Sequence, residues 1–227
     1  MRSRARSTEY DFGSMQMNTT DIRRSCIDCG NTACDKLKGE YPEFCLTTEL
    51  DEETIDKVRA LYEEVENRKI SIVSAEIEND FYQRYTRVEE VVEFAKKMGY
   101  SKLGIATCVG LINESRTLAK ILRKNGFEVY GAACKTGSFK KADVGVAEEH
   151  MNNVGPVMCN PIMQAELLNR EGTELNIVMG LCVGHDSLFN KYSRALVTTL
   201  IAKDRVLAHN PAAALYQTGS YYKRLMK

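Results

Sequence analysis

Cys-Val-Gly occurs twice in this chain, at 108–110 and again, 74 residues later, at 182–184. Each copy follows a short apolar run that reads as a buried strand, "KLGIAT" before Cys108 and "LNIVMGL" before Cys182. A thiol at a strand end, followed by glycine at the start of a helix, suits two kinds of chemistry. Glycine lets a bound group approach the backbone closely, and the free N–H groups and positive end of the helix lower a thiol's pKa. Such a place holds an anionic metal–sulfur centre or makes a reactive thiolate. Two more cysteines stand in the same way, Cys134 after "FEVYGAA" and Cys159 after "VGPVM". Cys159 precedes Asn160 and Pro161, an N-cap and a first-position proline. Ligands of open parallel sheets bind beyond the carboxyl ends of the strands. Cys108, Cys134, Cys159 and Cys182 are therefore the expected cofactor-binding and metal-ligating residues of one strand-end centre.

The three histidines are His150, His185 and His209. Asn-Pro follows Cys159 in "CNPIMQA" and follows His209 in "HNPAAAL", so His209 stands where a cysteine stands in the other copy. His185 lies just past Cys182. Both histidines sit at expected strand–helix junctions and are suited to metal ligation or proton transfer. His150, in the polar run "AEEHMNN", reads as a surface residue. Lys135, Lys203, Asp186 and Asp204 fall at the same expected edge. A cation there suits an anionic cluster or substrate, although charged loop residues are most often simply solvated. The candidate catalytic residues are Cys182, His185, His209 and Lys203.

A second cysteine group is separate. Cys26, Cys29, Cys34 and Cys45 have the spacing C-x2-C-x4-C-x10-C. This set suits a tetrathiolate site for structural zinc or an iron–sulfur cluster. It matches neither the ferredoxin run nor the paired C-x-x-C of a zinc ribbon. The stretch is poor in apolar residues and has little but a metal to fold around.

The elements that must position these groups follow from periodicity. "LDEETIDKVRALYEEVEN" places Leu50, Ile55, Val58, Leu61 and Val65 on one helical face. The next helical stretch runs to Gly99, and Thr86 with Glu89 forms a potential capping box that splits it in two. From residue 102 short apolar runs alternate with amphipathic segments, the pattern of βαβ units. Five or six parallel strands are expected, counting "VGPVM" as a weak one. The fold class is α/β, an open, mostly parallel, doubly wound sheet of Rossmann-like type. A helical segment and a small cysteine-rich module precede it. The expected boundaries are a leader at 1–20, disordered or a cloning remnant, a cysteine module at 21–48, helices at 49–99 and the α/β domain at 100–227.

Composition narrows the function classes. Lys+Arg and Asp+Glu balance at 31 each, and no basic stripe interleaves with aromatics, so nucleic acid is not expected as a partner. No apolar run approaches the ~18 residues of a membrane span, and no apolar core follows the basic N-terminus as in a secretory signal. Eight cysteines without such a signal suggest metal or redox chemistry in a reducing, cytoplasmic setting. The fingerprints of dinucleotide, nucleoside-triphosphate, serine-hydrolase and zinc-protease sites are absent. Substrate, electron donor and oligomeric state stay open.

Taken together, "CIDCGNTAC", "GIATCVGLINESRTLAKIL", "CNPIMQAELLN", "NIVMGLCVGHDSLF" and "TTLIAKDRVLAHNPAAALY" resemble a family of bacterial and archaeal proteins of unknown function, usually labelled metal-binding. The resemblance spans about residues 26 to 216. It implies that all eight cysteines, "GHD" and "HNP" belong to the family pattern, and it supplies no reaction. A looser similarity of architecture links the chain to the Rossmann-like domains of carbon monoxide dehydrogenase and hybrid-cluster proteins, where strand-end cysteines hold iron–sulfur centres. Three functions are compatible with these residues. The leading expectation is an iron–sulfur protein, with [4Fe–4S]-type centres, in which the N-terminal group relays electrons to the strand-end centre. The second is a non-catalytic zinc sensor or carrier. The third is a thiol enzyme with Cys182 or Cys108 as nucleophile and His185 or His209 as base.

Overall fold

The structure is a computed structural model that describes residues 23–227, so the expected leader at 1–20 lies outside the described residues. The chain divides at Glu64/Val65 into two compact units.

The first unit is built from local contacts. A single turn of 3-10 helix covers Cys26–Asp28, helix α1 covers Ala33–Lys36, and helix α2 covers Glu52–Glu63. Asn31 braces the cysteine segment. Its Nδ2 donates to the Glu40 carbonyl at 2.6 Å, and its Oδ1 accepts from the Ala33 N–H at 3.1 Å. Arg24 stacks over Phe44 at 4.2 Å. Asp51 caps α2, accepting from the Thr54 N–H at 2.7 Å. Only Ala33 is buried among the described residues of this unit.

The second unit opens with helices α3 (Val65–Phe81) and α4 (Arg87–Met98). The capping box is present at the start of α4, where Thr86 accepts from the Glu89 N–H and the Glu89 carboxylate accepts from the Thr86 N–H. Gly99, at φ +79°, closes that helix. Four strands follow, β1 (Lys102–Thr107), β2 (Glu128–Ala133), β3 (Leu175–Met179) and β4 (Leu196–Ile201). They form one all-parallel sheet in the order β2-β1-β3-β4. "VGPVM" is not a fifth strand. Val157 makes only an isolated antiparallel bridge to Lys140, because residues 139–141 and 156–158 clasp each other across a long loop instead of joining the sheet.

Helix α5 (Ile112–Lys124) joins β1 to β2, α6 (Pro161–Glu171) lies between β2 and β3, and α7 (His185–Tyr192) lies between β3 and β4; a short α8 covers Ala212–Tyr216. Strand side chains alternate between faces, and each face has its own core. Leu103, Ile105, Leu175, Ile177 and Met179 pack with Val91, Val92 and Ala95 of α4 and with Leu118 and Leu122 of α5. Ala106, Ala132 and Val178 pack on the other face with Ala165 and Leu168 of α6 and Phe189 of α7. The connection thus leaves β1 over one face and returns to β3 over the other. The crevice of a doubly wound sheet opens at such a switch, beyond the carboxyl ends of the two strands. Cys108 follows β1 and Cys182 follows β3. The twin Cys-Val-Gly motifs flank the crevice.

Candidate metal centre

Backbone hydrogen bonds extend the sheet into the thiol-bearing loops. The Cys108 N–H donates to the Met179 carbonyl at 3.1 Å, the Cys134 N–H to Thr107 at 2.8 Å, and the Asn160 N–H to Cys134 at 2.7 Å. Asn160 caps α6 by accepting from the Met163 N–H at 3.1 Å, and Pro161 opens that helix. Gln164, fully buried, donates from Nε2 to the carbonyls of Thr107 at 3.1 Å and Ala132 at 2.7 Å, which ties α6 to the ends of β1 and β2. These ties fix Cys108, Cys134 and Cys159 around one point.

The Cys134 sulfur hydrogen-bonds to the sulfurs of both Cys108 and Cys159. The bond from Cys134, stronger than the opposing effect of burial and helped by the Gly110 N–H and the Lys203 ammonium, holds the Cys108 thiol down at about 5. Cys134 likewise holds Cys159 down at about 5, against burial, with Lys135 and His185 adding to the effect. Cys134 goes the other way. Its bonds to Cys108 and Cys159, then burial, push its own thiol up, although the Val109 N–H donates to its Sγ at 3.4 Å. Ionisation is therefore favoured at the two flanking sulfurs and disfavoured at the central one, in a partly desolvated place. Such a group attracts a cation strongly.

The fourth thiol completes a ligand group. Cys159 Sγ, Cys182 Sγ and one ring nitrogen of His185 all lie within 4.8 Å of one another, and all three residues are half-buried. Tetrahedral metal–sulfur bonds of ~2.3 Å separate ligand atoms by ~3.8 Å, so the three fit round one ion with little adjustment. The orphaned atoms support this fit. Among the described residues, the buried side-chain nitrogens and oxygens without a partner are Lys141 Nζ, Asn160 Nδ2, Gln164 Oε1 and His185 Nδ1. Buried polar atoms are nearly always satisfied, and the last three of these belong to residues at the carboxyl edge of the sheet. Thiolates with an imidazole are soft-to-borderline donors, matched to zinc or iron.

Cations surround the sulfurs. Arg205 Nη2 donates to Cys182 Sγ at 2.9 Å. The Lys203 stem crosses over Gly180, with Cε 3.6 Å from where a β-carbon would stand. Its Nζ ends beside Cys108. A β-carbon on Gly110 would be 3.8 Å from Cys108 Sγ and 3.9 Å from Lys203 Nζ. Lys135 Nζ donates to the Val157 carbonyl at 2.6 Å and stands close to Cys159.

Of the sequence-derived site residues, Cys108, Cys134, Cys159, Cys182, His185 and Lys203 are brought together. His209 is not part of the close group of donors. It lies in the loop after β4 at φ +64°, where its Nδ1 accepts from the Asp204 N–H at 3.2 Å and its own N–H donates to the Asp204 carbonyl at 3.0 Å. Asp204 Oδ1 accepts from Val206 and Leu207 N–H groups, both at 2.8 Å. His209 thus braces the turn that carries Lys203 and Arg205. His150 is exposed beside Glu149. In the first unit Cys26 and Cys34 are exposed and Cys29 and Cys45 are half-buried. Cys29 Sγ lies 3.6 Å from Asn31 Oδ1. Burial acts to raise the Cys45 thiol, but hydrogen bonds from Thr47 and Thr48 outweigh it and lower it. Among the described residues, Cys159, Cys182 and His185 form the one close group of three or more potential metal donors, and the N-terminal four are not drawn into another. Sequence reasoning missed Arg205 and Gln164. The signal for Gln164 was a polar residue on the buried stripe of α6.

A Rossmann-like α/β domain with a Cys/His cluster at its strand ends is the class this fold and site define. Within that class, the family described as "Protein of unknown function (DUF1847)" matches residues 45–200. An uncharacterized protein of Methanocaldococcus jannaschii is 49% identical over 202 residues, covering 89% of this chain and 98% of its own length. The chain belongs to the DUF1847 family. The matched span takes in the strand-end cysteines and His185 and stops short of Lys203. No described helix is long and apolar enough to cross a membrane.

Proposed function

We propose that the strand-end cluster is an iron–sulfur redox centre held by Cys108, Cys134, Cys159 and Cys182, with His185 as a further ligand or proton carrier. Cys26, Cys29, Cys34 and Cys45 hold a second centre that passes electrons to it, and the protein works as a small reductase in a reducing, cytoplasmic setting. The observation that carries this reading is the number of soft donors in one volume. Four thiols and an imidazole exceed what a single tetrahedral ion uses, and a polynuclear centre employs them all. A second reading has its own support. The compact trio of Cys159, Cys182 and His185 is the donor set of a mononuclear zinc site that keeps an open position, which suits a metal sensor, carrier or zinc enzyme.

Iron, zinc and acid-labile sulfide per chain, measured on oxygen-free protein, decide between them. The iron–sulfur reading expects about eight iron and eight sulfide in wild type, dropping by about half in Cys182→Ser. Zinc without sulfide, lost in Cys182→Ser, establishes the second reading. Metal content unchanged by that substitution removes the strand-end centre from both.

A further inference from the structure

We propose that the strand-end site binds a small oxyanion, carboxylate or inorganic, with Arg205 and Lys203 as the residues that take hold of it. This deepens the reading of the cluster as a metal centre and rests on it for the ligand's place beside the metal. The argument begins with where the cations stand. Lys135 follows β2, whereas Lys203 and Arg205 follow β4, yet each stands beside a sulfur of one cluster, Lys135 beside Cys159, Lys203 beside Cys108 and Arg205 beside Cys182. Folding has gathered positive charge from two separate loops round one cluster of thiols. Among the described residues, none of the three is ion-paired to a carboxylate. The acids nearest in sequence are occupied: Asp204 Oδ1 accepts two backbone N–H groups of its own turn, and Asp186 Oδ1 accepts the Ser187 N–H at 2.8 Å.

Without a metal these cations face the cysteine sulfurs. A bound metal neutralises much of the charge on each sulfur, which stays a hydrogen-bond acceptor but a weaker partner for these cations. Two thiolates and an imidazole on a divalent ion sum to zero charge, and four thiolates on a doubly positive cluster sum to minus two. Three cations exceed either sum, so positive charge is left facing the centre whichever metal it holds. Lys135 and Lys203 are half-buried and Arg205 is exposed, and positive charge gathered in this way at a crevice attracts a small anion from solution. The form of the donors specifies the class. A guanidinium offers a planar fork matched to two oxygens, and an ammonium adds a point charge. Arg205 uses one Nη2 bond on Cys182, and its remaining N–H groups extend the fork. Arg205 is exposed, so a solute can reach it. Asn160, only 6% exposed, adds an Nδ2 donor without a partner on the residue next to Cys159.

Ligand-induced thermal shift and calorimetric titration test this on the full-length chain purified without oxygen, with metal content measured on every sample. Formate and acetate represent the carboxylates and sulfate the inorganic oxyanions, each against chloride at equal ionic strength. Wild type is expected to show saturable binding of at least one of the three. Arg205→Met and Lys203→Met are each expected to weaken it about tenfold or more, and Arg205→Lys, which keeps the charge without the fork, less than Arg205→Met. Lys120→Met, on the exposed face of α5, leaves binding unchanged. A metal-loaded wild type that binds none of the three beyond chloride overturns this proposal and leaves the metal centre standing. Equal binding by wild type and both methionine variants also overturns it. Binding that persists in metal-free protein and falls in Arg205→Met upholds the anion site while removing the metal from it.

Discussion

At Gly180 the chain leaves β3 in the left-handed region, φ +67°, with its N–H bonded to the Ile201 carbonyl at 2.7 Å. A β-carbon here would overlap Leu111 Cδ1, and Leu111 is only 3% exposed. Two costs therefore combine in Gly180→Ala. The left-handed conformation costs a non-glycine residue on the order of 1 kcal/mol, and a displaced core leucine adds about as much again or more. Leu111 lies three residues past Cys108, so its displacement also disturbs that thiol's loop. Gly180→Ala should lower stability by about 2 kcal/mol or more, read from urea unfolding, and should reduce metal per chain. Gly219→Ala, with open space round it, should change either by little. At this scale the positions of Cys108, Cys134, Cys159 and Cys182 were legible because each follows an apolar run. Arg205 was not legible. What aims it is a turn closed by the Asp204 backbone and the His209 imidazole, and no periodicity encodes such a turn.

Strands β1 and β3 meet through a pair that neither strand's apolar pattern explains. Gly104 stands opposite Asn176 in the register. Asn176 is fully buried; its Oδ1 accepts from Thr173 Oγ1 at 2.7 Å and its Nδ2 donates to Ser193 Oγ at 2.8 Å. A β-carbon on Gly104 would overlap Asn176 Oδ1 and come within 3.0 Å of Leu168 Cδ1. The missing side chain on one strand is thus the room for the polar side chain on the next. Gly104→Ala should cost roughly 2–3 kcal/mol from overpacking. Asn176→Ala should cost about 2 kcal/mol by removing buried hydrogen bonds and leaving a gap. The gap is where the new methyl would go, so the double variant should cost less than the sum by at least about 1 kcal/mol. Additive costs in denaturant unfolding would show that the two residues do not share this space. Element types were legible here. β1 fell where "KLGIAT" put it, and the Thr86–Glu89 box divided α3 from α4 as its spacing suggested. "VGPVM" misled because a short apolar run beside glycine and proline reads alike as a strand and as one arm of a loop clasp.

Over the whole molecule formal charge cancels, so the response to acid depends on individual carboxylates. Glu174, just before β3, accepts from the Ser101 N–H at 2.6 Å, Ser101 Oγ at 2.9 Å and the Lys102 N–H at 2.9 Å. The backbone N–H groups of Lys102 and Ser101, against a smaller effect of burial, hold its carboxyl below the ordinary range. In the unfolded chain a glutamate titrates near ~4.3. A folded value below that makes the clasp fully stabilising above ~4.3 and progressively lost as the pH falls through the folded value. Glu174→Gln should therefore cost on the order of 1 kcal/mol at neutral pH, and the gap between variant and wild type should close in acid. Urea midpoints at neutral pH and on either side of ~4 check this, and a gap independent of pH would mean that ionisation of Glu174 does not matter. The clasp joins the amino ends of β1 and β3, whereas the thiols gather beyond the carboxyl ends of the same strands. Its loss should lower stability without changing metal content, the reverse of Cys182→Ser, which is expected to empty the site while leaving this end of the sheet intact. The opposite ends of one strand pair then separate into a part that holds the fold and a part, with its orphaned polar atoms and crowded thiols, that could hold a metal.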